Sequence, residues 1–100
     1  MIKTLIFAGL SCTMLATSAL ALTADQDNFC NGLSKLSGII AGARDRGMSS
    51  MDAFATLTDR GLNSKMSFMI TEIVYEKLPY ADPIKVAGFT YLACIDAIEN

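Results

Sequence analysis

From position 23 onward, apolar side chains return every third or fourth residue, the spacing of one helical face rather than the alternation of a strand. The first stripe is Phe29, Leu33, Leu36, Ile40 and Ala43. The helix can start at Thr23 or Asp25; Thr23, with Gln26 three residues on, suits a capping box in which each side chain satisfies a free backbone N–H. Gly47 follows, a residue able to take the left-handed backbone that closes a helix. The spacing predicts one long helix of about 22 residues, ~33 Å.

A second, shorter helix is predicted from Ser49 to Gly61, with Asp52 completing a weaker capping pair. Met51, Phe54, Ala55 and Leu57 supply its apolar side. The third starts at Asn63 or Ser64, turns Met66, Met69, Ile70, Ile73 and Val74 inward, and ends at Leu78 before Pro79. Asp82-Pro83 opens the fourth. Asp82 caps it, and the proline sits at the first helical position, where its missing N–H costs nothing. Ile84, Ala87, Gly88, Tyr91, Ile95 and Ile98 line one side of that helix.

Short connections favour antiparallel neighbours. The expected fold is therefore all-α: a small up-down bundle of four helices, one long and three shorter. Asp-Arg-Gly occurs twice, at 45–47 and 59–61. Both copies fall where a stripe stops, and Arg46 and Arg60 then lie in a last turn, where the carbonyl end of the helix favours positive charge. The repeat reads as two helix stops rather than as a binding motif. Gly38 and Gly42 match the G-x-x-x-G spacing of membrane helix pairs. Lys35 and Arg44 flank them too closely for a span, so the small residues predict close approach by another helix of the same chain.

The N-terminus changes the picture. Lys3, an apolar run from Leu5 to Leu15, and Ala19-Leu20-Ala21 describe a secretory signal peptide at 1–21, with the bond after Ala24 as the alternative cleavage site. A retained anchor and a lipoprotein signal ending at Cys12 are weaker readings, since Gly9 occupies the place usually held by leucine. A single domain over 22–100 is expected. Without Lys3 it carries 7 basic and 10 acidic side chains, a net charge of −3. That balance disfavours nucleic acid and anionic membrane surfaces as partners, and no stable membrane anchor is expected after signal removal.

Cleavage also removes Cys12 and leaves Cys30 and Cys94, which have one possible pairing in an oxidising compartment. Early in the first helix and late in the fourth, they meet at one end of an up-down bundle. Such a bond closes a loop of about 65 residues, stabilising the fold by roughly 4 kcal/mol in the chain-entropy model. A domain this small has a marginal core without a staple.

Candidate chemistry is sparse. The chain has no histidine, which removes the usual general base and the commonest transition-metal ligand. No glycine-rich phosphate loop is present. Asp25 and Asp27 do not begin a calcium loop, because Phe29 and Leu36 stand where oxygen ligands belong. Glu72 and Glu76 share a helical face at i,i+4 and read as solvated. The expectation is a protein with no catalytic residue, no metal ligand and no cofactor. Met48, Met51, Met66 and Met69 read chiefly as core filling. Around the proline-ordered turn between the third and fourth helices, Tyr75 and Tyr80 join Arg44 and Arg46 as a possible partner surface.

An exported start, Cys30, "ARDRGMS" at 43–49, "VYEKLPYADP" at 74–83 and Cys94 together resemble a group of small exported bacterial helical proteins of unknown function. The resemblance implies a periplasmic helical protein and no activity. A more distant similarity is to the HdeA-type acid-stress chaperones, also small, helical and held by one disulfide. The wider Cys30–Cys94 spacing and the lack of tryptophan depart from that pattern. Two expectations follow: a non-catalytic protein that binds an unknown protein partner as inhibitor, immunity or accessory factor, or a periplasmic chaperone activated by acid or stress. With no histidine, an acid switch would work through carboxylates near pH 4.

Overall fold

Each predicted helix forms in the computed structural model, which describes residues 23–99. α1 spans Ala24–Asp45, α2 Ser50–Asp59, α3 Ser64–Glu72 and α4 Pro83–Glu99. Between α3 and α4 the chain continues through a π-helical turn, Ile73–Lys77. The fold is an all-α bundle of one long helix and three shorter ones, with no strand among the described residues. The signal peptide expected at 1–21, Cys12 and the bond after Ala21 lie outside the described residues.

Helix starts follow the capping chemistry. Thr23 and Gln26 form the full capping box: the Thr23 hydroxyl accepts from the Gln26 N–H, and the Gln26 side chain accepts from the Thr23 N–H. Ser49, Asn63 and Asp82 accept from the N–H groups of Asp52, Met66 and Lys85. Each satisfies a donor that the first helical turn leaves free.

The two helix stops are the same structure built twice. Gly47 and Gly61 have φ of 100° and 96°, a left-handed conformation that strains a residue with a β-carbon. After α1, Gly47 N–H donates to the Arg44 carbonyl and Met48 N–H to that of Ala43. After α2, Gly61 N–H donates to Thr58 and Leu62 N–H to Leu57. These are paired Schellman bonds. Met48 and Leu62 pack against the core. Ser49 and Asn63 then cap the next helix. The repeated unit is thus six residues, "DRGMSS" at 45–50 and "DRGLNS" at 59–64: a stop, an apolar anchor and a new start.

α1 and α4 run antiparallel and make the most extensive helix contact. At one end Cys30 and Cys94 are disulfide-bonded, with S–S 2.06 Å and Cα–Cα 5.5 Å. Along the seam the Ser34 hydroxyl donates to the Ala87 carbonyl at 2.8 Å, and the Tyr91 hydroxyl donates to the Asp27 carboxylate. Gly38 is where α4 begins its approach. A β-carbon there would lie 3.3 Å from the Pro83 carbonyl oxygen and 3.5 Å from the Ala87 β-carbon. The small residue therefore serves a helix of the same chain. Gly42 faces no other helix; its nearest neighbour is the Arg46 guanidinium.

The core corrects the predicted stripes. In α1 the buried positions are Cys30, Leu33, Ser37, Ile40 and Ala41, whereas Phe29 is exposed. α2 buries Ala53 and Leu57 and leaves Met51 and Ala55 outside. α4 buries Val86, Thr90 and Cys94, while Ile84 and Gly88 face out. Ser67 and Thr71 join Ile70 on the inner side of α3. Helices that approach closely bury small side chains at the contact, so the largest apolar residues are displaced to the flanks.

Candidate functional site

Of the four residues expected to offer a partner surface, two are engaged within the fold. Arg44 lies in the last turn of α1, with its side chain only 10% exposed. Its Nη1 donates to the carbonyls of Val74 and Leu78, both at 2.8 Å, and its Nη2 donates to that of Ala81. Nε and Nη2 also donate to Asp45 Oδ1. All five guanidinium donors are used.

The π-helical turn explains this arrangement. Leu78 N–H donates to the Ile73 carbonyl, five residues back, so it does not serve Val74. The next donor that could reach Val74 belongs to position 79, and Pro79 has no N–H. Arg44 supplies the missing donor from another helix. Guanidinium geometry suits this task, because its rigid fork reaches several carbonyls at once.

Tyr75, in the same π turn, donates its hydroxyl to the Met48 carbonyl at 2.7 Å. This ties the α1–α2 connection to the end of α3. Burial raises the Tyr75 pKa; the Arg44 charge opposes the rise and Asp52 adds to it. Arg46 is the C-cap of α1 and is exposed. Tyr80 is 96% exposed and lines neither of the grooves described next.

Two grooves flank Phe68 and Glu72 on the outer side of α3. The first, of about 430 Å³, lies between α2 and α3 and is lined by Met51, Phe54, Phe68, Thr71, Tyr75 and Glu76, among others. The second, of about 440 Å³, extends from Met66 and Met69 to Ala97 of α4. Phe68 is 61% exposed and Met51 81%. Met48, Met66 and Met69 pack against the core as expected, but Met66 and Met69 also line the second groove, and Met51 projects from the first.

The exposed flank was not legible as a site, although its residues were in view. Glu72 and Glu76 share a face as their spacing required. The sequence did not bring Phe68 into one groove with them and α2, because Phe68 had no part in the apolar stripe. The available signal was the set of large apolar residues on α2 and α3 that small buried residues force outward.

Tyr75 brings an aromatic ring but commits its hydroxyl to the backbone. No group of three or more acidic or cysteine side chains among the described residues is arranged to hold a metal ion. No described helix is long and apolar enough to cross a membrane. Compared with known proteins, the chain matches no family model, no curated protein and no solved structure.

Proposed function

We propose that this chain is an exported, most simply periplasmic, non-catalytic protein that acts by binding another protein, as an inhibitor, immunity or accessory factor. One observation carries the reading: Met51 and Phe68 project beside open, apolar-lined grooves in the folded chain. Large apolar side chains gathered in one exposed region mark interaction surfaces more often than scattered ones. The Cys30–Cys94 bond is compatible with an oxidising compartment. Cleavage after Ala21 would keep the Thr23 cap, whereas cleavage after Ala24 would remove it. Mass spectrometry of the exported chain distinguishes the two.

Affinity capture from a periplasmic extract tests the reading. The wild-type chain is expected to retain a specific protein that a Phe68→Ala chain retains less. Failure of the wild type to retain any specific protein contradicts it.

An acid-released chaperone of HdeA-like type is the second reading. It needs apolar surface that is hidden at neutral pH and freed near pH 4. Grooves already open in the folded chain favour the first reading. A steep rise in ANS fluorescence near pH 4, with helicity retained, would favour the chaperone instead.

A further inference from the structure

The two grooves are of one kind chemically and differ in charge. The first carries Phe54, Phe68, Tyr75 and Met51 with two carboxylates, Glu72 and Glu76, and no cation. The second adds Met66 and Met69, shares Phe68 and Glu72, and has a single cation, Lys65, seven residues before Glu72 on α3. Neither Glu72 nor Glu76 has an ion pair or side-chain hydrogen bond among the described residues. Arg44, the cation whose charge reaches Tyr75, has all five donors occupied and cannot turn outward to neutralise them.

We propose that the flank of α3 around Phe68 and Glu72 docks a cationic amphipathic helix of a partner protein. The proposal rests on the protein-binding reading above and specifies the partner's chemistry. Phe68 and Glu72 are four residues apart on α3, Glu76 follows four further on in the π-helical turn, and all three line the first groove. A partner helix with apolar side chains at i, i+3 or i+4, and i+7 would seat them on either side of the Phe68 ridge. Lysine or arginine on the adjoining face would meet Glu72 and Glu76. Methionine lines both grooves, and its unbranched thioether chain adapts to differently shaped apolar partners. An anionic helix would instead bring its charges against two unneutralised carboxylates. Opposed like charges exclude partners more effectively than apolar contact selects them.

The probe is a fluorescein-labelled peptide of about 18 residues, five helical turns, patterned from leucine and lysine. Its counterpart replaces every lysine with glutamate. Fluorescence anisotropy with the full exported chain is expected to show binding of the lysine peptide, weakened by added salt, and none of the glutamate peptide. Glu72→Gln with Glu76→Gln should weaken binding by about tenfold. Phe68→Ala should weaken it comparably with less change in salt dependence. Asp25→Asn with Asp59→Asn makes the same change in net charge away from the grooves and should leave affinity within about twofold. All variants are compared at matched helical circular dichroism.

Equal loss from the remote pair would overturn the proposal, since attraction would then be general rather than seated. Equal binding of the two peptides, or no binding of the lysine peptide, would also overturn it. The protein-binding reading fails separately, by the capture experiment. A chain that retains a specific protein but ignores the lysine peptide keeps that reading and loses this one.

Discussion

Arg44 shows how one residue can change meaning between sequence and structure. In the sequence it is a cation near a turn, with Arg46 two residues on, and it reads as accessible. In the fold it closes the end of the π-helical turn by donating to the carbonyls of Val74, Leu78 and Ala81, of which Leu78 also accepts from the Ala81 N–H. The clue was Pro79, whose missing N–H had to be balanced by some donor. Nothing in residue spacing identifies which side chain provides it. Arg44→Met is therefore expected to destabilise the chain by about 2–4 kcal/mol, since three charged hydrogen bonds to the backbone are lost and the buried Val74 carbonyl is left without a donor. Arg44→Lys should recover only part, because an ammonium lacks the fork. Urea denaturation measures both; a loss below about 0.5 kcal/mol for Arg44→Met would contradict the clamp. Tyrosines give a second prediction. Tyr75 is raised in pKa chiefly by burial, and Tyr91 chiefly by its hydrogen bond to Asp27. The unfolded chain releases these protons first, above about pH 10. Their contribution is thus full below that pH and is lost as pH rises through the higher folded values. The denaturation midpoint should fall above pH 10, and less steeply in a Tyr75→Phe, Tyr91→Phe chain. Equal slopes would contradict this.

Helix existence and helix ends were legible because capping is local. Thr23, Ser49, Asn63 and Asp82 start helices where their side chains reach nearby N–H groups. Gly47 and Gly61 end them with left-handed backbone. Which face turns inward was less legible. With 52% hydrophobic residues, several faces of each helix look apolar, and the true seam is marked by small residues such as Ala53, Ser67 and Thr90. The glycines separate these effects. A β-carbon at Gly32 or Gly88 would meet nothing within 4 Å, whereas one at Gly38 would meet the Pro83 carbonyl. Gly32→Ala and Gly88→Ala should each stabilise the chain by about 0.5–1 kcal/mol, through helix propensity alone. Gly38→Leu should instead lower stability by at least ~1–3 kcal/mol, because the added side chain pushes α4 away from α1. Thermal denaturation of the three variants tests the seam; similar shifts at Gly32 and Gly38 would contradict it.

At the scale of the whole molecule, the disulfide and the exposed flank come near each other on α4, where Cys94 stands three residues before Ala97 of the second groove. Cys30–Cys94 staples the far ends of α1 and α4, and the pairing was legible because two cysteines follow the expected signal peptide. The flank was not legible, since it arises from three helices. α2 contributes Met51 and Phe54, α3 Phe68, and α4 Ala97. These residues come together only once the small-residue seams fix how each helix is rotated. The central claim is that this flank contacts a partner protein. Its most direct test is a photo-crosslinking amino acid placed at Phe68 and, separately, at exposed Lys35 of α1, in cells that export the chain. The account predicts a discrete adduct of defined mass from position 68 and none from position 35. Adducts of equal yield from both positions, or none from 68, would contradict it.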